Sequence, residues 1–264
     1  MDMTLEALLV EPAVVKPLRE LHRAEMSCQI VLDSWLGRGW VDPYLLRVDG
    51  AVAGYGLVGD VRAEDKTIVV EFFVLPELRG AALPLFRALL AASGATRFEA
   101  QTNDSLFTLM VYDCAVDIES NVVLFHDAVT THLAIPGAAF RKFEPRDAGR
   151  VFGRTQDEPD EWLVEAGGEI VAAGGLLFHY NPPYGDIYME VAEAHRRRGY
   201  GSFLIQELKR AAYAMGKIPA ARCNVVNAAS RACLQKAGML PCARVLEGRA
   251  EDAGAPQRPA RRRP

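Results

Sequence analysis

A pattern of strand, tight turn and strand occurs twice in this sequence of 264 residues and limits the folds that it can adopt. Residues 44–56 read as two strands around an Asp-Gly turn, and residues 161–175 repeat the pattern around Gly-Gly. Such dipeptides favour the tight turns of antiparallel hairpins. Each hairpin precedes a further strand, at residues 68–74 and 186–191, and then a helical pattern. This order predicts two copies of one mixed α/β unit.

The two copies align without a gap over the segment that follows the hairpins. Glu71 and Gly80 are separated by as many residues as Glu190 and Gly199. The end of the chain is rich in proline and arginine, which is typical of disordered tails. We predict three parts, a first domain at 1–136, a second domain at 137–250 and a disordered tail at 251–264.

The composition argues against several classes of protein. Half of the residues are hydrophobic, as in globular proteins, and the net charge of −4 argues against a nucleic-acid partner. No apolar run is long enough to span a membrane and no signal-peptide pattern is present, so we predict a cytoplasmic protein with no membrane partner. Five cysteines without a CxxC pair argue against disulfides and a zinc site. The sequence leaves open whether the protein is a monomer or a homodimer.

The densest chemical signal follows the strand at residues 186–191. Three consecutive arginines at 196–198 precede a Gly-Tyr-Gly segment at 199–201, where a helical pattern begins. Backbone N–H groups at the start of a helix bind anions, and glycine keeps side chains out of their way. Adjacent arginines add positive charge, so we predict a site for a phosphate or diphosphate. The GxGxxG pattern of dinucleotide-binding proteins is absent, because residue 204 is Leu.

Two short motifs carry a resemblance to a known family. The segment Arg196-x-x-Gly199-x-Gly201 follows a strand, and Asn227-x-x-Ser230 begins the last predicted helix. They are similar to the R/Q-x-x-G-x-G/A and N-x-x-S/A motifs of the GNAT superfamily, the Gcn5-related N-acetyltransferases. The resemblance implies two tandem GNAT-like mixed α/β domains, each a mostly antiparallel, splayed sheet flanked by helices.

The first copy departs from the motif of the GNAT family. Residues 74–80 have the family's V-x-P-E-x-R-G shape, but Glu77 stands where the second copy has Arg196. A carboxylate repels a diphosphate. Pro84 also suits the start of a helix better than its interior. We therefore predict that the first copy is degenerate, and we leave open whether it still binds a cofactor.

The resemblance implies acetyl-CoA as the cofactor and acyl donor and an amine-bearing molecule as the acceptor. We expect no metal ion. In GNAT proteins the pantetheine arm lies along a strand that parts from its neighbour, and residues 189–191 match that strand here. The N–H group of Val191 would then face the thioester carbonyl. The residues that we expect to bind the cofactor are Met189, Val191, Arg196, Arg197, Arg198, Gly199, Tyr200, Gly201, Ser202, Asn227 and Ser230.

An acceptor ammonium must lose a proton before it attacks a thioester, so the site needs a base. Asp186, Tyr188 and Glu190 alternate with apolar residues and therefore share one face of the predicted strand. Glu190 lies nearest the reacting carbonyl and is our candidate catalytic base, whereas Asp186 lies about 13 Å further along the strand. Many GNAT proteins place a proton-donating tyrosine where this chain has Leu234. Tyr188 or Tyr200 would then protonate the leaving thiolate, or the thiolate leaves unassisted.

Three functions are compatible with these patterns. The first is an acetyl-CoA-dependent N-acetyltransferase in which an amine attacks the thioester directly. The second is a non-catalytic acyl-CoA-binding sensor or scaffold, which Leu234 and the degenerate first copy favour, and the third is a transferase with a larger acyl donor. Glu190 has an alternative role as the partner of an arginine across the sheet, and Asn227 is first of all a helix cap. The sequence does not identify the acceptor.

Overall fold

Both copies of the repeat fold into strands and helices of the predicted mixed α/β class. The computed structural model describes residues 3–25, 33–59, 66–152, 162–178 and 182–251. Its helices are α1 (Pro12–Glu25), α2 (Asp33–Gly37), α3 (Ala82–Ser93), α4 (Ser105–Cys114), α5 (Tyr200–Ala214) and α6 (Ala228–Lys236). Its strands are β1 (Leu5–Leu9), β2 (Val41–Val48), β3 (Ala51–Gly59), β4 (Ile68–Val74), β5 (Arg97–Gln101), β6 (Ala115–Asp127), β7 (Ala138–Lys142), β8 (Trp162–Ala166), β9 (Glu169–Leu177), β10 (Tyr184–Val191), β11 (Ile218–Asn224) and β12 (Met239–Ala250).

Two compact units share the chain. Unit 1 comprises Met1–Met26, Trp35–Glu119 and Leu246–Pro264, and unit 2 comprises Ser27–Ser34 and Ser120–Val245. The strands β6 and β12 each begin in one unit and end in the other. The predicted boundary between residues 136 and 137 marks the start of the second repeat and lies inside unit 2. The domain bounds 1–136 and 137–250 therefore stay a prediction, and they do not coincide with the bounds of units 1 and 2.

Unit 1 contains the hairpin of the first copy. Its strands follow the order β1-β2-β3-β4-β5, in which β4 and β5 are parallel and the other neighbours are antiparallel. The turn between β2 and β3 uses Asp49 and Gly50, with φ angles of +48° and +79°. Two consecutive left-handed residues are what a type I′ turn requires. The hairpin predicted from the Asp-Gly dipeptide is therefore confirmed.

Unit 2 repeats this arrangement. Its strands follow the order β6-β11-β10-β9-β8-β7, in which only β10 and β11 are parallel neighbours among the described strands. Gly167 and Gly168 make the β8–β9 turn with φ angles of +60° and +81°. One face of α5 is fully buried at Leu204, Leu208 and Ala212. Both units thus have the same order of elements, namely a hairpin, a third strand, a helix, a strand parallel to the third strand and a second helix. These elements are β2-β3-β4-α3-β5-α4 in unit 1 and β8-β9-β10-α5-β11-α6 in unit 2.

Three observations concern the predictions made from composition. None of the described helices combines the length and the apolar character needed to cross a bilayer. Within the described ranges, no group of three His, Cys, Asp or Glu side chains is arranged to hold a metal ion. The predicted tail at 251–264 lies outside the described residues, apart from Glu251.

Candidate functional site

The strands β10 and β11 part from each other in unit 2. On one side β10 pairs with β9 from Asp186 to Val191. On the other side β10 pairs with β11 at residues 184–186 alone within the described strands. Beyond Asp186 the two parallel strands diverge, so a gap opens along the last five residues of β10. This gap is the splayed sheet that the resemblance predicts.

The backbone N–H groups of two β10 residues face the gap. The N–H of Ala192, the residue that follows β10, donates to the carbonyl of Val171 on β9 at 3.0 Å. Because successive N–H groups along a strand point to opposite sides, those of Val191 and Met189 point away from β9. The edge of β10 therefore offers two donors to an extended chain lying in the gap.

A cavity of about 760 Å³ lies beside the end of β10, the loop after it and the first turn of α5. Its walls include every residue predicted to bind the cofactor except Arg198. Glu190, the predicted base, is half-buried and also contacts this cavity. The wall residues that sequence reasoning did not assign to the site include His195, Cys233 and Lys236.

The loop before α5 has the backbone shape of an anion site. Arg197 and Gly199 have φ angles of +63° and +91° and are therefore left-handed, one on each side of Arg198. Alternation of this kind turns successive N–H groups towards a common point. Gly199 is the N-cap of α5 and has no side chain to occupy the N–H groups of the first turn. A negatively charged group is stabilised at such a helix start.

Positive side chains surround this loop. The Nε atom of Arg196 donates to the carbonyl of Val191 at 3.3 Å, which fastens the arginine to the end of β10. Lys236, on α6, places its Nζ atom 3.9 Å from the position that a Cβ atom on Gly199 would take. The lysine is far from the loop in sequence, and only the packing of α6 brings it here. Arg196, Arg197 and Lys236 together give the cavity wall the charge that a diphosphate requires.

Asn227 and Ser230 reach the same cavity from the start of α6. The side-chain oxygen of Asn227 accepts a hydrogen bond from the N–H of Ser230 at 3.0 Å. This is the geometry of an N-cap, so the capping role predicted for Asn227 is confirmed. The cap fixes where α6 begins and thereby holds both residues at the mouth of the gap.

A second cavity of about 280 Å³ lies where β10 and β11 begin to part. It shares Met189 and Ser230 with the first cavity. Its charged walls are Asp186 and Arg222, and the Nε atom of Arg222 lies 3.5 Å from Oδ2 of Asp186. Tyr188, the second predicted catalytic residue, contacts this cavity and not the first one. The structure therefore separates the two predicted catalytic residues between two adjoining spaces.

Asp186 is buried, and burial raises the pKa of its carboxyl from 3.8 to about 7. The guanidinium of Arg222 acts in the opposite direction, but 39% of the Arg222 side chain is exposed and water screens its charge. Sequence reasoning treated Asp186 as remote from the reaction. The alternation of polar and apolar residues predicts which face of the strand carries Asp186, but it does not predict that Asp186 is buried.

Asp186→Asn should stabilise the protein above pH 7. The wild-type carboxyl is protonated up to a higher pH in the folded chain than in the unfolded one. The free energy of unfolding therefore falls as the pH rises from about 4 to about 7, and the loss is complete above both pKa values. A shift from 3.8 to about 7 corresponds to about 4 kcal/mol. Asparagine keeps a buried polar amide, so we expect it to recover about half of this, ~2 kcal/mol.

Urea unfolding at pH 4.5 and pH 8 measures this difference. The variant should be about 1 kcal/mol less stable than the wild type at pH 4.5 and about 2 kcal/mol more stable at pH 8. If the variant gained the same free energy of unfolding at both pH values, burial would not be raising the pKa of the Asp186 carboxyl.

Comparison with known proteins identifies the segment that contains both cavities. Residues 131–239 match the model of the acetyltransferase (GNAT) family. Residues 131–239 form a GNAT-family domain. The match covers the gap, α6 and the loop of residues 192–199 before α5, which we call the anion loop. We refer to residues 131–239 as the GNAT domain. No curated protein sequence matches this chain.

Solved structures share the fold of nearly the whole chain. A GNAT acetyltransferase from Colwellia psychrerythraea is 16% identical with a TM-score of 0.68, covering 94% of this chain and 100% of that chain. A tandem GNAT protein from the clavulanic acid biosynthesis pathway is 12% identical with a TM-score of 0.57, covering 95% and 99%. A GCN5-related N-acetyltransferase from Sphaerobacter thermophilus is 15% identical with a TM-score of 0.51, covering 94% and 95%. These likenesses confirm the predicted tandem fold.

Leu234 of the GNAT domain is buried and forms part of the second cavity. The family resemblance would place a proton-donating tyrosine there, so this wall is apolar instead. Tyr188 contacts the same cavity, and the end of its ring lies over Gly175 on β9. A Cβ atom on Gly175 would lie 2.5 Å from the Tyr188 oxygen, so only glycine leaves room for this ring.

The first copy encloses the counterpart of Glu190 in a buried network. The Glu71 carboxylate accepts two hydrogen bonds from Arg19, at 2.8 and 3.0 Å, and one from the Tyr55 hydroxyl at 2.8 Å. His22 connects the Tyr55 hydroxyl to Asp104, with contacts of 2.8 and 3.0 Å. Burial acts to raise the pKa of Glu71, but the Arg19 guanidinium, His22 and the Tyr55 hydroxyl together lower that pKa below its usual value. The carboxylate is therefore fully ionised and paired.

Aromatic side chains occupy the place of the cavity in the first copy. Phe107 donates its N–H to the capping Asp104, as Ser230 does to Asn227, so the two residues are equivalent. The ring of Phe86 lies 4.9 Å from that of Phe72 and 6.0 Å from that of Phe107, measured between centroids. All three phenylalanines are buried. The space that the GNAT domain leaves open is thus part of the hydrophobic core in unit 1.

Proposed function

We propose that the chain is an acetyl-CoA-dependent N-acetyltransferase with its active site in the GNAT domain. The observation that carries the proposal is the gap between β10 and β11. The N–H groups of Met189 and Val191 point into this gap. The start of α5, which favours an anion, lies at one end of the gap, and the carboxyl group of Asp186 lies at the other. The GNAT fold suggests acyl transfer from acyl-CoA. We further propose that the acyl group is acetyl and that the acceptor is an amine.

The residues of the first cavity would bind the nucleotide half of the donor. The N–H groups of Gly199 to Ser202 would donate hydrogen bonds to the diphosphate, and Arg196, Arg197 and Lys236 would neutralise its charge. The pantetheine arm would then follow the edge of β10 inwards. We expect the N–H of Val191 to bind an amide carbonyl of this arm.

The reaction centre should lie at Met189. This residue is a wall of both cavities, so a donor in the first cavity and an acceptor in the second would meet beside it. The N–H of Met189, rather than that of Val191, would then stabilise the oxyanion of the tetrahedral intermediate. A donor of this kind contributes about 2.7–4 kcal/mol in other enzymes.

Asp186 is the carboxylate on the acceptor side of Met189, and we propose that it receives the proton of the acceptor ammonium. Its pKa of about 7 is that of an efficient base near neutral pH. Glu190, the base predicted from the sequence, contacts the donor cavity and is the alternative. The amine then attacks the carbonyl carbon, the C–S bond breaks, and the thiolate takes a proton from Tyr188 or leaves unassisted.

Paired substitutions decide between the two carboxylates. We expect Asp186→Asn to lower kcat about 100-fold, because a positioned base contributes at least that factor, and Glu190→Gln to lower it less than about tenfold. The wild-type rate should fall below about pH 7 as Asp186 becomes protonated. Thiol release from acetyl-CoA measures kcat, and calorimetry should show unchanged acetyl-CoA affinity in both variants.

Glu193→Gln is the matched control, because Glu193 is exposed and lies outside both cavities. A loss of kcat confined to Glu190→Gln would make Glu190 the base instead of Asp186. Tight binding of acetyl-CoA without turnover on any amine would support the second function, a non-catalytic acyl-CoA-binding protein. The apolar Leu234 is the observation that favours this alternative.

A larger acyl group would have to enter the second cavity, where it would compete with the acceptor. Turnover with acyl-CoA donors of increasing chain length tests this, and we expect the rate to fall beyond acetyl. The cytoplasmic location and the monomeric or homodimeric state stay predictions from the sequence.

A further inference from the structure

The second cavity holds two opposite charges side by side. Asp186 on β10 and Arg222 on β11 meet at the point where the strands part, with 3.5 Å between Oδ2 and Nε. The other walls are uncharged, namely Leu177, Ile187, Tyr188, Met189, Ile205, Ser230 and Leu234. A molecule that enters this space therefore meets one anion and one cation.

This ion pair is looser than others in the chain. Arg19 holds Glu71 through two hydrogen bonds of 2.8 and 3.0 Å, whereas the contact between Arg222 and Asp186 is longer than the 2.7–2.9 Å of a charge-assisted hydrogen bond. Asp186 is buried, but 39% of the Arg222 side chain is exposed. A ligand that offers each group a shorter contact of opposite charge would therefore be favoured.

The pair selects against an acceptor with a positive charge alone. An alkylammonium beside Asp186 would also lie close to the guanidinium of Arg222, and like charges repel at this range. An α-amino acid has an ammonium and a carboxylate on the same carbon atom. Its two charges are thus as close together as those of the pair, and each would face its opposite. Arginine binds carboxylates particularly well, because its N–H groups match the two oxygens.

The dimensions and the walls of the cavity limit the rest of the molecule. A volume of about 280 Å³ is below the usual range of about 300–1,000 Å³ for ligand pockets. Four aliphatic side chains face it, Leu177, Ile187, Ile205 and Leu234. A small aliphatic side chain would bury apolar surface against them. The N-terminal residue of a protein would bind less well, because its α-carboxyl group forms a peptide bond and offers Arg222 no negative charge.

We infer that the acceptor is a small aliphatic α-amino acid, whose carboxylate is bound by Arg222 and whose amine lies beside Asp186. This inference names the substrate of the function proposed above and rests on it. In the reaction, one ammonium proton passes to the Asp186 carboxylate. The N–C bond forms first and gives the tetrahedral intermediate. The C–S bond then breaks with its electron pair leaving on sulfur, and a second proton from nitrogen ends on the thiolate or in water. The products are an N-acetyl amino acid and the free thiol.

The test compares L-leucine with isoamylamine, which is leucine without its carboxylate, in thiol release from acetyl-CoA. We expect kcat/KM to be at least about tenfold higher for leucine, because a hydrogen bond between charged groups contributes roughly 10- to 100-fold. Arg222→Met should reduce the ratio of the two kcat/KM values to near one, and Arg222→Lys should restore part of it. Arg210→Met is the matched control, since Arg210 is an exposed arginine on α5 outside both cavities, and it should leave the ratio unchanged.

Calorimetry of L-leucine against the protein saturated with CoA gives a readout that needs no turnover. We expect binding that Arg222→Met weakens and Arg210→Met does not. Acetylation of both amines with equal kcat/KM would overturn the inference and leave the proposed function intact. Leucine binding that depends on Arg222, without any thiol release, would overturn the proposed function and retain the recognition site. A ratio that Arg222→Met does not change would overturn the role of Arg222.

Discussion

Gly199→Asp is expected to weaken acetyl-CoA binding about 1000-fold. The carboxylate would lie at the start of α5, where the N–H groups of the loop converge and a diphosphate is proposed to bind. Two like charges about 4 Å apart near a protein surface repel by about 4 kcal/mol, which corresponds to that factor. Calorimetric titration with acetyl-CoA measures the affinity.

The first copy provides a matched control for this substitution. Gly80 holds the equivalent position, and a Cβ atom added there meets no atom within 4 Å. Gly80→Asp should therefore leave the affinity for acetyl-CoA unchanged. Gly199→Ala separates charge from backbone shape, because it retains the strain of a left-handed φ without the carboxylate, and we expect a loss of about tenfold. Equal losses for the two aspartate variants would show that both copies bind the ligand.

Arg19→Met is expected to lower the free energy of unfolding by about 3–5 kcal/mol. The substitution leaves the Glu71 carboxylate buried with the Tyr55 hydroxyl as its remaining partner in the network described above. Removal of the charge as well, in Arg19→Met/Glu71→Leu, should recover at least half of the loss, since the uncompensated anion is then gone. Urea unfolding measures all three proteins.

Arg79→Met is the control for this network. Arg79 pairs with Glu25 at 2.6 Å, but about a third of each side chain is exposed, so its loss should cost less than about 1 kcal/mol. The affinity of the folded Arg19→Met protein for acetyl-CoA should equal that of the wild type. A loss below about 1 kcal/mol, or a weaker affinity, would contradict a purely structural network in the first copy.

Features that depend on neighbouring residues were predictable from the sequence. The hairpin turns followed from Asp-Gly and Gly-Gly, because few residues other than glycine and asparagine or aspartate adopt left-handed φ angles. The cap at Asn227 followed from its position before a helical pattern. The strand, the glycines and the arginines of the anion loop are consecutive in the chain, so their proximity in space needed no knowledge of the fold.

Features that depend on packing were not predictable. Lys236 approaches Gly199 because α6 packs beside the gap, and no local pattern indicates this contact. The burial of Asp186 and its distance from Arg222 depend on where two parallel strands part. The phenylalanines that fill the first copy come from β4, α3 and α4, so the loss of that cavity appears only when these elements are assembled. Long-range strand pairing, as in β6 with β11, has no local signal either.

The passage of β6 from one unit to the other determines how the protein could be dissected. Val122 to His126 of β6 pair with Ala220 to Asn224 of β11, and Phe125 is fully buried. A fragment that begins at residue 131, where the family match starts, would lack this strand and expose a bare sheet edge, which favours aggregation. The smallest piece able to keep the proposed acyl-transfer centre intact must therefore start upstream of residue 120.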